Sequence, residues 1–273
     1  RDNIVVTSID KIIKCINKNP DIGFYYFSAI DENGNKRLTF KDCLYRKGKD
    51  TFEAYQRIPD HPSGNLYNKK YLDLDIYESY IQKYFDDIYG FTVHKLIKCD
   101  ISVKADFLTS SIVGWMYSDT LQAKDVAVNK IKNGINVYDP KYCYPRYKCE
   151  FNFAKQELPD DILMKYLLSI VYSYYHLILF RVPLLVNDER YMSHYNSDSK
   201  IINIKTEFKN LNKITKEMII DLNNKQKMKI NKVIRIEKLK LKTIYPILKS
   251  IRNYFLETPV YSVYRNILGQ KKR

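Results

Sequence analysis

Apolar residues at Ile9, Ile12, Ile13 and Ile16 recur at helical spacing behind Thr7 and Ser8, and Pro20 ends that helix. Phe24–Ile30 and Arg37–Phe40 flank the run Asp31-Glu32-Asn33-Gly34-Asn35, which reads as a hairpin. The stretch 47–70 is polar, holds Pro59, Pro62 and Gly64, and reads as loop. Tyr77, Tyr80, Ile81, Tyr84, Phe85 and Ile88 form an amphipathic helical stripe that stops at Gly90. Ser118 is placed to cap a helix through Ala127 and Ile131, closed by Gly134. Residues 138–153 are aromatic, and Pro140 and Pro145 argue for an extended chain.

Residues 160–180 carry the longest apolar pattern, started after Pro159 and stopped before Pro183. In the most apolar stretch, Ile162–Val186, Lys165, Arg181 and Pro183 interrupt the run, and the 15 residues between the two charges are too few to cross a bilayer, so a core helix is expected and no membrane partner. A polar loop covers 186–199, and Thr215 opens a helix through Met218, Ile219 and Leu222. Val233, Ile234, Ile236, Leu239 and Leu241 fit neither period, and a further helix starts at Pro246. The expected fold is mainly α with a minor N-terminal β hairpin, an irregular helical assembly.

Charge divides the 273-residue chain. Lys200 to Arg273 holds 19 Lys/Arg and 5 Asp/Glu, while residues 1–199 are nearly neutral. A boundary is therefore expected between a tyrosine-rich body at 1–190 and a basic, mainly helical segment at 200–273, unless the two form one continuous domain. The basic side chains Lys225, Lys227, Lys229, Lys232, Arg235, Lys238, Lys240 and Lys242 are the candidates to meet an acidic partner, nucleic acid or an acidic protein surface. A solvated charged face is the plainer reading of the same run.

Asp31 to Asp42 resembles an EF-hand loop, with oxygens from Asp31, Asn33, Asn35, Thr39 and Asp42 at the ligating positions. Lys36 replaces the turn glycine and Asp42 the longer bidentate glutamate, so a β-turn at Asn33-Gly34 is expected and no metal. Asp73 and Asp75, on a strand, would share one face and resemble the Asp-x-Asp of nucleotidyl transferases such as archaeo-eukaryotic primases. That family also needs a third carboxylate and a Ser-x-His; Ser193-His194 lacks the spacer. No cofactor and no catalytic residue is expected.

The five cysteines, Cys15, Cys43, Cys99, Cys143 and Cys149, have no CxxC pair and no zinc-spaced histidine. They read as free thiols, or as a set whose odd member bridges two chains. Cys143 and Cys149 lead for such a bridge because they flank a proline-containing aromatic segment. Tyrosine is abundant, 25 residues with 21 before position 200, and suits interfaces; the stripe Tyr77, Tyr80 and Tyr84 is the candidate assembly face.

Tyrosine-rich faces, a neutral body with a basic segment and an odd cysteine set together resemble the occlusion-body matrix proteins (polyhedrins) of insect DNA viruses, of the nudivirus type. The resemblance lies in overall character, and no family residue carries over. It implies a non-enzymatic protein whose copies form a crystalline lattice around virions in the host nucleus and dissolve in an alkaline gut. The alternative is a nucleic-acid-binding or nucleotidyl-transferase-like protein of an AT-rich virus.

Overall fold

The computed structural model describes residues 3–57, 65–84, 93–117, 140–181 and 203–257. The expected helix at 118–134, the loop at 186–199, and Phe85, Ile88 and Gly90 lie outside them. Two compact units emerge, Arg1–Val137 with Lys141–Ile170, and Tyr138–Pro140 with Val171–Arg273. The division falls inside a helix, upstream of the polar loop where the charge balance changes.

The first unit is built on a mixed six-stranded sheet, larger than the minor hairpin expected. Its two long strands, β2 (Ile22–Asp31) and β6 (Asp106–Tyr117), pair in parallel. Short strands border them. β1 (Asn3–Ile4) and β4 (Cys43–Tyr45) pair with β6, while β3 (Lys36–Leu38) and β5 (Asn65–Tyr67) pair with β2. Edges of two or three residues offer little backbone to a foreign strand. β2 reads as a near-continuous apolar run because it is buried on both faces, as parallel strands are.

The expected hairpin forms. Asp31 Oδ1 accepts from the Asn33 and Asn35 amides at 3.0 and 2.8 Å, and Gly34 takes a φ of +76°, which favours glycine. α1 (Ile9–Lys18) also forms as the isoleucine spacing predicts. Within 47–70 the loop expectation is corrected by α2 (Lys49–Arg57) and β5. The helix is set by Thr51, whose Oγ1 donates to Arg46 O at 2.8 Å, and by Phe52, buried edge-on against Tyr166.

α3 (Leu74–Tyr84) and α4 (Val93–Lys104) precede β6. The close approach of α4 to β2 needs Gly23, where a Cβ would lie 2.5 Å from Ala105 Cβ and 2.6 Å from Ile101 Cγ2.

Within the segment 138–153, residues 140–153 are helical and not extended. α5 (Pro140–Glu157) runs through them with Pro145 inside. Pro140 stands at the first helical position, where a missing N–H costs nothing. Pro145 forgoes a hydrogen bond, a cost of about 3 kcal/mol. Tyr147, Phe151 and Phe153 are fully buried on this helix, and each such side chain contributes about 1.5–3 kcal/mol, which outweighs the proline.

α6 (Asp160–His176) passes into a π-helical turn, Leu177–Arg181. Asp160–Leu179 is long and apolar enough to cross a membrane by length and composition, yet more than half of that stretch is buried in protein, as a core helix is. In the second unit α6 residues after Ile170 meet α7 (Ile204–Met218) and α8 (Asn224–Glu257). Tyr175 holds α6 to α7: its hydroxyl lies 3.1 Å from Thr215 Oγ1, and its ring meets Phe208 edge-on.

Two expectations here are corrected. Thr215 closes a helix rather than opening one: its hydroxyl donates to Leu211 O at 2.7 Å, and Asn203 supplies the cap, accepting from Lys205 N and Thr206 N. The ambiguous run 229–242 and the helix expected from Pro246 are one helix, α8. Its inward seam is Ile230, Ile234 and Glu237, at helical spacing but with a glutamate in the third place.

Candidate functional site

α7 and α8 form a helical hairpin through a five-residue turn, Ile219 to Asn223. Phe208, Leu211, Thr215 and Met218 line the inner side of α7. Lys205, Lys209, Lys213 and Lys216 recur at i, i+4, i+8 and i+11 on the opposite side, and all four are exposed. This ridge is about 17 Å long at the helical rise. α8 adds exposed Lys225, Lys229, Lys232, Arg235, Lys238 and Lys242.

The α8 cations differ in what they can offer a partner. Lys227 donates to Ile220 O at 2.7 Å and closes the turn. Lys238 Nζ lies 5.9 Å from the Phe208 ring centroid. Lys240 is the most committed: it donates to Glu237 Oε1 at 2.7 Å and sits 4.9 Å over the Tyr172 ring. Glu237 is fully buried, so its charge offsets Lys240 and leaves the outer face basic. The available set is thus the α7 ridge with Lys225, Lys229, Lys232, Arg235 and Lys242. The α7 lysines were missed in the sequence because the helix start was put at Thr215; their i, i+4 spacing was the signal.

The other expected sites fall elsewhere. Asp73 is not on a strand. Its Oδ1 accepts from Ile76 N at 3.1 Å and caps α3, and Asp75 lies exposed in the first turn. Asp31 is spent on its own turn, with Asn35 Nδ2 at 3.1 Å and Arg37 Nε at 3.3 Å. Asp42 turns instead to β6, accepting from Ser111 N at 2.7 Å and Ser110 Oγ at 2.9 Å. These donors hold both carboxyls below the usual carboxylate range, despite partial desolvation. Asn33 and Asn35 lie exposed in the same turn. Among the described residues no group of three or more His, Cys, Asp or Glu is placed to hold a metal.

The tyrosine stripe faces inward, which corrects its reading as an assembly face. Tyr77 and Tyr80 are buried, and Tyr84 is half-buried. Tyr77 donates to Asp100 Oδ2, Tyr80 hydrogen-bonds Gln156 and Glu157, and Tyr84 Oη accepts from Asn152 Nδ2. Desolvation raises the pKa of all three hydroxyls.

All five cysteines are thiols, outside any disulfide. Cys99, Cys143 and Cys149 are fully buried, and burial pushes the Cys149 thiol up to about 12. As folded, Cys143 and Cys149 cannot meet a second molecule. That leaves Cys15 and Cys43, the two with surface exposure.

Comparisons with protein-family models, with curated proteins and with solved structures find no match to this chain.

Proposed function

We propose that this is a binding protein that holds nucleic acid by its phosphate backbone, through the lysine ridge of α7 and the outer cations of α8. The observation that carries the reading is the placement of Lys205, Lys209, Lys213 and Lys216, all exposed on the side of α7 opposite its core. A ridge of point charges with no ion pair to an acid among the described residues suits phosphates, which are contacted as charges and carry no base sequence. The test is binding of a DNA duplex, followed by fluorescence anisotropy across a salt series. Affinity should fall steeply with salt. Replacing the four α7 lysines with glutamine should flatten the log–log slope by about 3–4, since each released phosphate contact contributes about 0.9. No binding at low salt, or an unchanged slope in the quadruple variant, overturns the reading.

A second reading is a self-assembling occlusion-body matrix protein of the nudivirus type, encasing virions in the host nucleus. One observation supports it: aliphatic side chains stand exposed on the first strand and helix of the near-neutral part of the chain. Expression in insect cells should then yield nuclear crystalline particles that dissolve at alkaline pH. A protein that stays dispersed in those cells sinks it.

A further inference from the structure

We infer that the segment from Ile4 to Lys14 is a self-complementary contact that pairs two copies of this chain about a two-fold axis. Val6, Ile9 and Ile13 follow one another at i, i+3 and i+7, a single stripe through the 3₁₀ turn Val6–Ser8 and into α1. Their exposures are 75%, 39% and 48%, and Ile4 on the adjoining edge strand is 49% exposed. Ile12, next round α1 from Ile9 and Ile13, is the one turned into the sheet and is buried in a cluster with Ile22, Tyr25 and Phe27. The outer isoleucines are therefore surplus to the fold: the helix is already anchored without them. Four large aliphatic groups in ten residues form a patch rather than scattered exposure.

Charge selects the occupant. Asp10 and Lys14 are exposed, one helical turn apart, along the flank of the same stripe. Neither is held by an ion pair to a described residue of its own chain. An isologous contact brings each residue of a pair to the other in the second copy. With two α1 helices antiparallel and the axis between positions 10 and 14, Asp10 meets Lys14 of the second copy and Lys14 meets its Asp10. The isoleucine stripes meet between them. One surface thus supplies both halves of its own complement. Each copy carries a net +15, almost all of it in the last quarter, so long-range repulsion opposes the encounter at low salt and is screened at physiological salt.

The contact is small. A stable dimer buries about 800 Å² on each partner, more than one short helix face offers, so association should be micromolar or weaker on the order-of-magnitude scale. It rests on other residues than the nucleic-acid reading and stands or falls without it.

The test is sedimentation of the full chain over a concentration series at about 0.15 M salt, which screens the net charge of the two copies, with circular dichroism to confirm that each variant is folded. The unaltered chain should shift from monomer toward dimer with concentration. V6S/I13S should remain monomeric. D10K should weaken association by about tenfold, because two attractive pairs become two repulsive ones. D10K/K14D should restore it, and all variants should keep nucleic-acid affinity within about twofold. A chain that stays monomeric throughout, or a dimer untouched by V6S/I13S, overturns the proposal. So does a D10K/K14D chain that associates no better than D10K, which would mean that the two charges do not face each other.

Discussion

Tyr77 Oη donates to Asp100 Oδ2 at 2.6 Å, and both side chains are buried between helices α3 and α4. Lys104 Nζ reaches the same oxygen at 2.6 Å. Each donor that a buried carboxylate gains offsets part of its desolvation, so this tyrosine is part of what lets α4 carry an aspartate inside the unit.

Tyr77→Phe keeps the ring and removes the donor. It should destabilise the chain by about 1–3 kcal/mol, the cost of leaving a buried acceptor short of a partner. Chemical denaturation of the variant against the parent measures it. A change within error would show that Lys104 alone satisfies Asp100.

Alkali should unfold the protein from a pH near the ordinary tyrosine value. Burial raises the pKa of Tyr25 to about 12, and it is also the first cause of the upward shifts at Tyr77, Tyr80, Tyr84 and Tyr175. In the unfolded chain these groups ionise at about 10, so above that pH the unfolded state has lost protons that the folded state still holds. The stability they contribute is complete below about pH 10 and is lost as pH rises toward the folded values. Denaturation midpoints on both sides of pH 10, read beside tyrosinate absorbance, test this. Tyrosines that titrate at the ordinary value before any loss of structure would refute it.

Gly23→Ala should destabilise by about 1–3 kcal/mol, because the added carbon would overlap Ala105 and Ile101 and α4 would have to shift from β2. Thermal melting of this variant can be compared with Gly34→Ala. Gly34 has open space around it, and its cost would come only from the positive φ.

Glu237 and Lys240 should show the asymmetry of a buried ion pair. Lys240→Met leaves Glu237 charged inside the hairpin and should cost about 3 kcal/mol, less whatever the partly exposed ammonium loses to solvent screening. Glu237→Leu with Lys240→Met removes both charges and should recover most of that loss. A double-mutant cycle in urea decides it; two additive losses would mean that the pair does not act as a unit.

Much of the local structure was legible before any tertiary contact was known. The isoleucine spacing of α1, the Asn33-Gly34 turn and the bounds of α6 each depend on neighbours within a few residues. What misled were residues whose local chemistry is outvoted at a distance. Pro145 argues against a helix until the burial of Tyr147 and Phe151 is counted. Glu237 breaks the apolar period of α8 because its neutralising partner, Lys240, is not recognisable as such from the sequence. α4 and β6 were not assigned at all. β6 is hydrogen-bonded to β2, more than seventy residues away, and no short window carries that pairing.

The sequence by itself determined that the positive charge lies in the last quarter of the chain and that Tyr77, Tyr80 and Tyr84 share one helical face. Both follow from composition and from the 3.6-residue period. Only the tertiary structure decided what those features meet. It turned the tyrosines inward onto Asp100, Glu157 and Asn152, left the α7 lysines facing water, and set Ile9 and Ile13 outside a core already closed by Ile12. An amphipathic pattern specifies that a face will be buried. Which surface buries it depends on chain segments brought together by long-range packing.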